Sequence, residues 1–151
     1  MTATQDLYIE LEPDMASIVN ELFGFSERCL KKENNFLPHA AVLTEDGRVE
    51  FVAAASASGN DLTNSTEILP LLHEGLRHKV QQESIKAIGV AENVTITPNG
   101  KPSTKAIKVL FEHKRGLTIA VYLPFDKKLF KGYIFGEAFP IAANSEVNAW
   151  S

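Results

Sequence analysis

The chain has 151 residues, of which 44% are hydrophobic and 23% charged, with a formal net charge of −4. That is the profile of one ordinary globular domain spanning 1–151, large enough to bury a core without metal or disulfide support. Cys29 is the only cysteine, which excludes an intrachain disulfide framework and any all-cysteine metal site.

No run approaches the ~18 apolar residues of a membrane span. The opening Met-Thr-Ala-Thr-Gln-Asp carries neither the basic nor the apolar region of a signal peptide. The expectation is therefore a cytoplasmic protein with no membrane partner. The triplets Asn64-Ser65-Thr66 and Asn93-Val94-Thr95 are accordingly read as coincidental matches to the glycosylation pattern.

The charge is uneven. Residues 1–74 hold 13 acidic and 4 basic side chains, whereas residues 75–151 hold 11 basic and 6 acidic. One reading is a solvated sheet whose lysines discourage edge pairing. The other is an electropositive patch over Lys101, Lys105, Lys108, Lys114, Arg115, Lys127, Lys128 and Lys131. The overall acidity, with a pI near 5.6, weighs against nucleic acid as the partner.

In chain order, Glu12-Pro13-Asp14 reads as a helix start, with Pro in the first turn and carboxylates at the positive end of the dipole. Met15, Ile18, Val19, Leu22 and Phe23 follow at three- and four-residue spacing, continuing to Cys29 and Leu30. Cys29 falls in this apolar pattern and reads as a small core side chain. His39–Thr44 and Val49–Ala55 are short apolar runs around Glu45-Asp46-Gly47-Arg48, a hairpin signal. A two-residue turn pairs Val42 with Phe51, and a three-residue turn pairs Leu43 with Val49. The pattern leaves both open. Residues 56–65 form a polar, small-residue loop, and Ile68, Leu69, Leu72, Leu76 and Val80 mark a second helix with Pro70 near its start.

From Ile85 to Phe139 the chain reads as three or four long strands. Ile88, Val90, Val94 and Ile96 alternate with Ala87, Gly89, Ala91, Asn93 and Thr95. Small residues over such a length suit a face lying under a helix, or one that another backbone approaches closely. After the turn at 97–102, the next hairpin is placed in register by its loop. A three-residue turn, Lys114-Arg115-Gly116, sets Phe111 opposite Ile119, Val109 opposite Val121 and Ile107 opposite Leu123. That choice gathers six large apolar residues on one face and puts Gly where the turn needs it. Pro124 is expected to end the strand, 125–131 to be a loop, 132–139 a last strand, and 140–151 an irregular tail.

The expected fold class is α+β. It has a single antiparallel sheet of five to six strands, with two amphipathic helices packed on one face in the order α-β-β-α-β-β-β. In element order it resembles the profilin-like and roadblock-type small domains, a resemblance of topology. No phosphate-binding loop, nucleophile elbow or His-Glu-x-x-His pattern occurs, so no cofactor and no metal are assigned. Glu112-His113 is the most reactive-looking dipeptide. Its side chains point to opposite faces of a strand, and it reads as a solvated strand end beside a charged turn.

Three functions are open. The leading expectation is a non-enzymatic interaction domain that forms a homodimer through its sheet, using the mixed face of Lys108, Leu110, Glu112 and Tyr122. The alternative is a small-molecule site or small enzyme in a cleft near the first hairpin, with His39, Asn60 and Asp61. The third is an anion or nucleic-acid binder using the basic half.

Overall fold

A computed structural model describes residues 2–52 and 65–151. Their elements are α1 (Ala3–Glu33), β1 (His39–Thr44), β2 (Val49–Val52), α2 (Ser65–Gln82), β3 (Ile85–Ile96), β4 (Thr104–His113), β5 (Thr118–Lys128), β6 (Gly132–Phe135) and β7 (Phe139–Ala142). The seven strands form one antiparallel sheet in the order β2-β1-β3-β4-β5-β6, with β7 also alongside β5. The α+β class and element order agree with the expectation. The strand count is higher because the run expected over 132–139 stops at Phe135, and a further strand, Phe139–Ala142, forms at the start of the tail expected to be irregular.

The break between these two strands has a local cause. β6 pairs with Phe125–Lys128 of β5, and β7 pairs with Ile119–Tyr122. Pro124 lies in the gap between these two stretches. Its carbonyl accepts from Gly136 N at 2.8 Å, so its missing N–H points to the side where the neighbour changes and no ladder bond is lost. β5 therefore continues through Pro124 to Lys128 instead of ending there.

The 113–118 turn is the three-residue form, with Gly116 at φ +94° and Phe111 opposite Ile119. The first hairpin also takes the three-residue form, pairing Leu43 with Val49. Residues 53–55, expected in its second strand, lie outside the described residues.

The helices do not share a face. α1 packs with Ala41, Leu43, Ala87, Ala91, Val109 and Phe111, whereas α2 packs with Ala40, Val42, Ile88 and Val90. The reason lies in β1 and β3. Ala40, Ala41, Val42 and Leu43 are consecutive and all buried. A strand apolar on both sides needs a layer on each. On β3 the small residues take the α1 side. A Cβ built on Gly89 would lie 2.7 Å from Leu22 Cδ1, so helix and strand meet there at a distance only glycine allows.

α1 also begins ten residues before the expected start. Thr2 Oγ1 accepts from Gln5 N at 3.1 Å and Gln5 Oε1 accepts from Thr2 N at 2.8 Å, a reciprocal cap. Pro13 thus stands inside the helix, where it removes one hydrogen bond and costs about 3 kcal/mol. Burial of Leu11 and Met15 on either side of it offsets that cost.

Part of the charge asymmetry is resolved within the chain. Lys79–Glu50, Lys86–Asp14, His113–Asp14, Lys114–Glu45 and Arg115–Glu10 each join a base of the second half to an acid of the first.

Candidate functional site

Glu112 and His113 end β4 on opposite faces, as expected, but neither is solvated. They are 3% and 5% exposed. The Glu112 carboxylate accepts from Ser145 Oγ and from the backbone N–H groups of Glu146 and Val147, the latter two at 3.0 Å. It anchors the segment 143–151 across the α2 side of the sheet. Val147 and Ala149 join the α2 core there, and Trp150 packs against it. Arg77 Nη1 donates to Val147 O at 3.1 Å.

On the other face, His113 Nδ1 accepts from Arg115 N at 3.1 Å, which requires the Nε2–H tautomer, and Nε2 donates to Asp14 Oδ2 at 3.0 Å. Burial pushes His113 below the ordinary imidazole value against the opposing pull of Asp14. Burial raises Asp14 as well, but hydrogen bonds from Lys86 and His113 outweigh it and hold the carboxyl low. Both imidazole nitrogens are occupied, so the pair ties α1 to the sheet and leaves no lone pair for proton transfer.

The other residues of that expected partner face lie close by. Leu110 is buried, and Lys108 pairs with Glu146 at 3.3 Å. Tyr122 stacks on Phe139 at 5.5 Å. The chain's own tail thus occupies the upper part of this face. Below it none of the described residues covers the face. Val94, Ile96, Tyr122, Pro124 and Phe139 are half-buried, and Ile134 and Ile141 are exposed at the adjoining edge. Glu92, beside Lys108, is pushed up by burial.

His39 sits on the α1 side, apart from these residues. Its ring packs against Phe25 and Phe36, Nδ1 donates to Leu37 O at 2.9 Å, and Nε2 lies 3.0 Å from Ser26 Oγ. Burial pushes its pKa down, against the backbone hydrogen bonds. It is a histidine with satisfied nitrogens at the helix–strand junction. Asn60 and Asp61 lie outside the described residues. Cys29 is half-buried, and burial with Glu33 nearby raises its thiol, which keeps it protonated. Among the described residues no group of three or more His, Cys, Asp or Glu side chains is placed to hold a metal ion.

A separate concavity lies elsewhere. α1 stops at Asn34, in the left-handed region at φ 61°, while the strands beneath continue. Where the helix no longer covers them, the α1-side positions change from small to polar, from Ala87, Gly89 and Ala91 to Asn93 and Thr95. A cleft of about 730 Å³ opens there.

One wall is a network. Asn34 Oδ1 accepts from Lys127 Nζ at 2.6 Å and Tyr133 OH at 3.3 Å, and Lys127 lies 5.7 Å from the Tyr133 ring centre. The floor holds Asn93, whose Nδ2 donates to Asn35 Oδ1 at 3.0 Å. Its Oδ1 is buried without a partner. Ser103, Thr104 and Lys105 complete the rim. Of these, Lys105 and Lys127 were read from the sequence only as members of an electropositive patch, and the others were not singled out. The available signal was the polar turn of the small-residue face at Asn93.

Of the eight basic residues read as a patch, Lys108, Lys114, Arg115, Lys127 and Lys128 are held by intramolecular partners. Among the described residues no helix is long and apolar enough to cross a membrane. No protein-family model, curated protein or solved structure matches the chain.

Proposed function

We propose that the protein is a non-enzymatic interaction domain that self-associates as a homodimer through the uncovered part of its sheet face and the adjoining β5–β6–β7 edge. The observation that carries this is a row of exposed apolar side chains along that edge. Leu129, Phe130, Ile134 and Ile141 are all exposed and all belong to that edge. Phe130 is 97% exposed and sits at φ 67°, a backbone region that is costly for a bulky side chain.

Charge is not assigned as the driving force, because the exposed side chains that define this edge are apolar. Nor is edge-to-edge extension, since β2 and β6 are four residues long and β7 carries Pro140. Burial of a face related to itself by a two-fold axis remains.

Four large apolar side chains contribute about 1.5–3 kcal/mol each when fully buried. Association costs about 4–15 kcal/mol in lost freedom and ordering. The balance predicts a weak dimer that forms with rising concentration. Size-exclusion chromatography with light scattering over a concentration series tests this. The wild type moves toward twice 16.6 kDa as concentration rises, and Ile141→Glu stays monomeric. A wild type that remains monomeric at the highest soluble concentration, or an Ile141→Glu variant that dimerises equally, overturns the reading.

A further inference from the structure

We infer that the cleft beyond the end of α1 binds a small polyhydroxylated anion, of the sugar-acid class. The proposal is independent of dimerisation and starts from the chemistry of the lining. Six side chains there carry amides or hydroxyls: Asn34, Asn35, Asn93, Ser103, Thr104 and Tyr133. Amides present a donor and an acceptor side by side, which matches neighbouring hydroxyls of a polyol. Two lysines, Lys105 and Lys127, supply positive charge. The one carboxylate in the lining, Asp126, is neutralised by Lys128 at 2.8 Å. The cleft therefore favours a ligand with one acidic group and several hydroxyls over a neutral or cationic one.

Two features separate this cleft from ordinary polar surface. The first is the buried, unpartnered Oδ1 of Asn93. Leaving such an acceptor unmade costs about 1–3 kcal/mol, and an apolar residue in its place would remove the cost. Exchange of O and N within the Asn35–Asn93 pair leaves one polar atom of Asn93 without a partner in either arrangement. A modest turn of that amide pair admits a ligand hydroxyl and satisfies it. The second is preorganisation. Asn34 is fixed as the helix cap, and its carbonyl oxygen already holds Lys127 and Tyr133 in place. An acid group that replaces Asn34 Oδ1 as the acceptor for Lys127 exchanges a neutral partner for a charged one, a stronger hydrogen bond.

The test is a ¹H–¹⁵N NMR titration of the full chain with D-glucuronate, with D-glucose and inorganic phosphate as comparison probes. The expected result is saturable shifting by glucuronate of the side-chain amides of Asn34, Asn35 and Asn93. Glucose and phosphate bind at least ten-fold more weakly. Lys127→Gln, at an exposed position, lowers glucuronate affinity at least ten-fold with an otherwise unchanged spectrum. Asn93→Val abolishes the response, and its thermal unfolding verifies that it is folded. The proposal is overturned if glucuronate shifts no cleft amide, if phosphate alone matches glucuronate, or if Lys127→Gln binds glucuronate like the wild type.

Discussion

The two faces of this sheet are closed in different ways. On one, a single 31-residue helix lies across β1, β3 and β4, and the strand residues beneath it are small where the helix comes nearest and large further out. On the other, α2 covers β1, β3 and the neighbouring β2. The rest is closed in part by an irregular tail held by one carboxylate, and in part not at all. The first face is an interior. The second is an assembly of local fastenings with an unfinished margin, and that margin is where the apolar surface collects. The difference teaches that cover, and not strand composition, decides which side of a sheet is left to meet a partner.

The largest expected effect measures that difference directly. Phe111→Ala, on the α1 side at 0% exposure, should cost about 3–5 kcal/mol in denaturant unfolding. Tyr122→Ala, stacked on Phe139 over the open margin, should cost about 1–2 kcal/mol. Equal losses would show that both faces are packed alike and remove the comparison.

Next in size is the fastening of the tail. Glu112→Ala deprives three donors of a charged acceptor, and such bonds contribute about 1.5–3 kcal/mol. The specific readout is hydrogen exchange. The amides of Glu146 and Val147 should lose protection while those of β4 keep theirs. Uniform loss along β4 would mean that Glu112 supports the strand and not the tail.

Close packing under α1 gives a smaller and reversible effect. Gly89→Val places side-chain atoms where Leu22 already lies, at a cost of about 1–3 kcal/mol. Adding Leu22→Ala should recover part of that loss, because the two changes share one contact. A double variant as unstable as the sum of the singles would argue that the strand itself rejects valine.

Acidity sharpens the comparison further, since both depressed histidines lie on the α1 side. His39 and His113 are both lowered from the value of 6.5, mainly by burial. Their sign is that of a base kept neutral in the fold. The stability they allow is complete above about 6.5 and is lost as pH falls through their lower folded values. Asp14, also lowered, adds the same direction at more acidic pH: its contribution is present above about 3.9 and is lost as pH falls through the folded value. Melting temperature should fall between pH 7.5 and 5.5, and His39→Gln should flatten that slope. An unchanged slope would place the pH dependence elsewhere.

How much of this was legible beforehand follows from which interactions are local. The 113–118 register was readable because only one slip brings Ile107, Val109 and Phe111 together with their partners. The small residues of β3 announced a close neighbour. The side on which each helix lies was not readable by taking the strands one at a time. It required noticing that β1 is apolar on both faces. The roles of Glu112 and His113 depended on Ser145 and Asp14, 33 and 99 residues away in the chain. No periodicity reports such pairings. The cleft went unnoticed for a related reason: it exists because α1 ends before the strands do, and a helix end is a boundary of cover that the strand sequence records only as a change from Ala91 to Asn93.

The smallest expected effect on stability bears most on the open margin. Phe130→Gly should relieve the left-handed strain, worth roughly 1–2 kcal/mol for a non-glycine residue. Against this, glycine loses about 0.5–1 kcal/mol through its greater freedom in the unfolded chain. The variant should therefore unfold at the same denaturant concentration as the wild type or slightly higher. If Phe130 is held in that conformation for a partner, the same change should weaken self-association while leaving or improving the monomer. A residue that costs the monomer and serves the dimer separates the two readouts. Should Phe130→Gly destabilise the monomer clearly, the ring is packed within its own chain and the margin ends at Ile134. Should it leave the dimer untouched, the contact lies on the sheet face around Tyr122 and Ile141, and not at the tip of the β5–β6 turn.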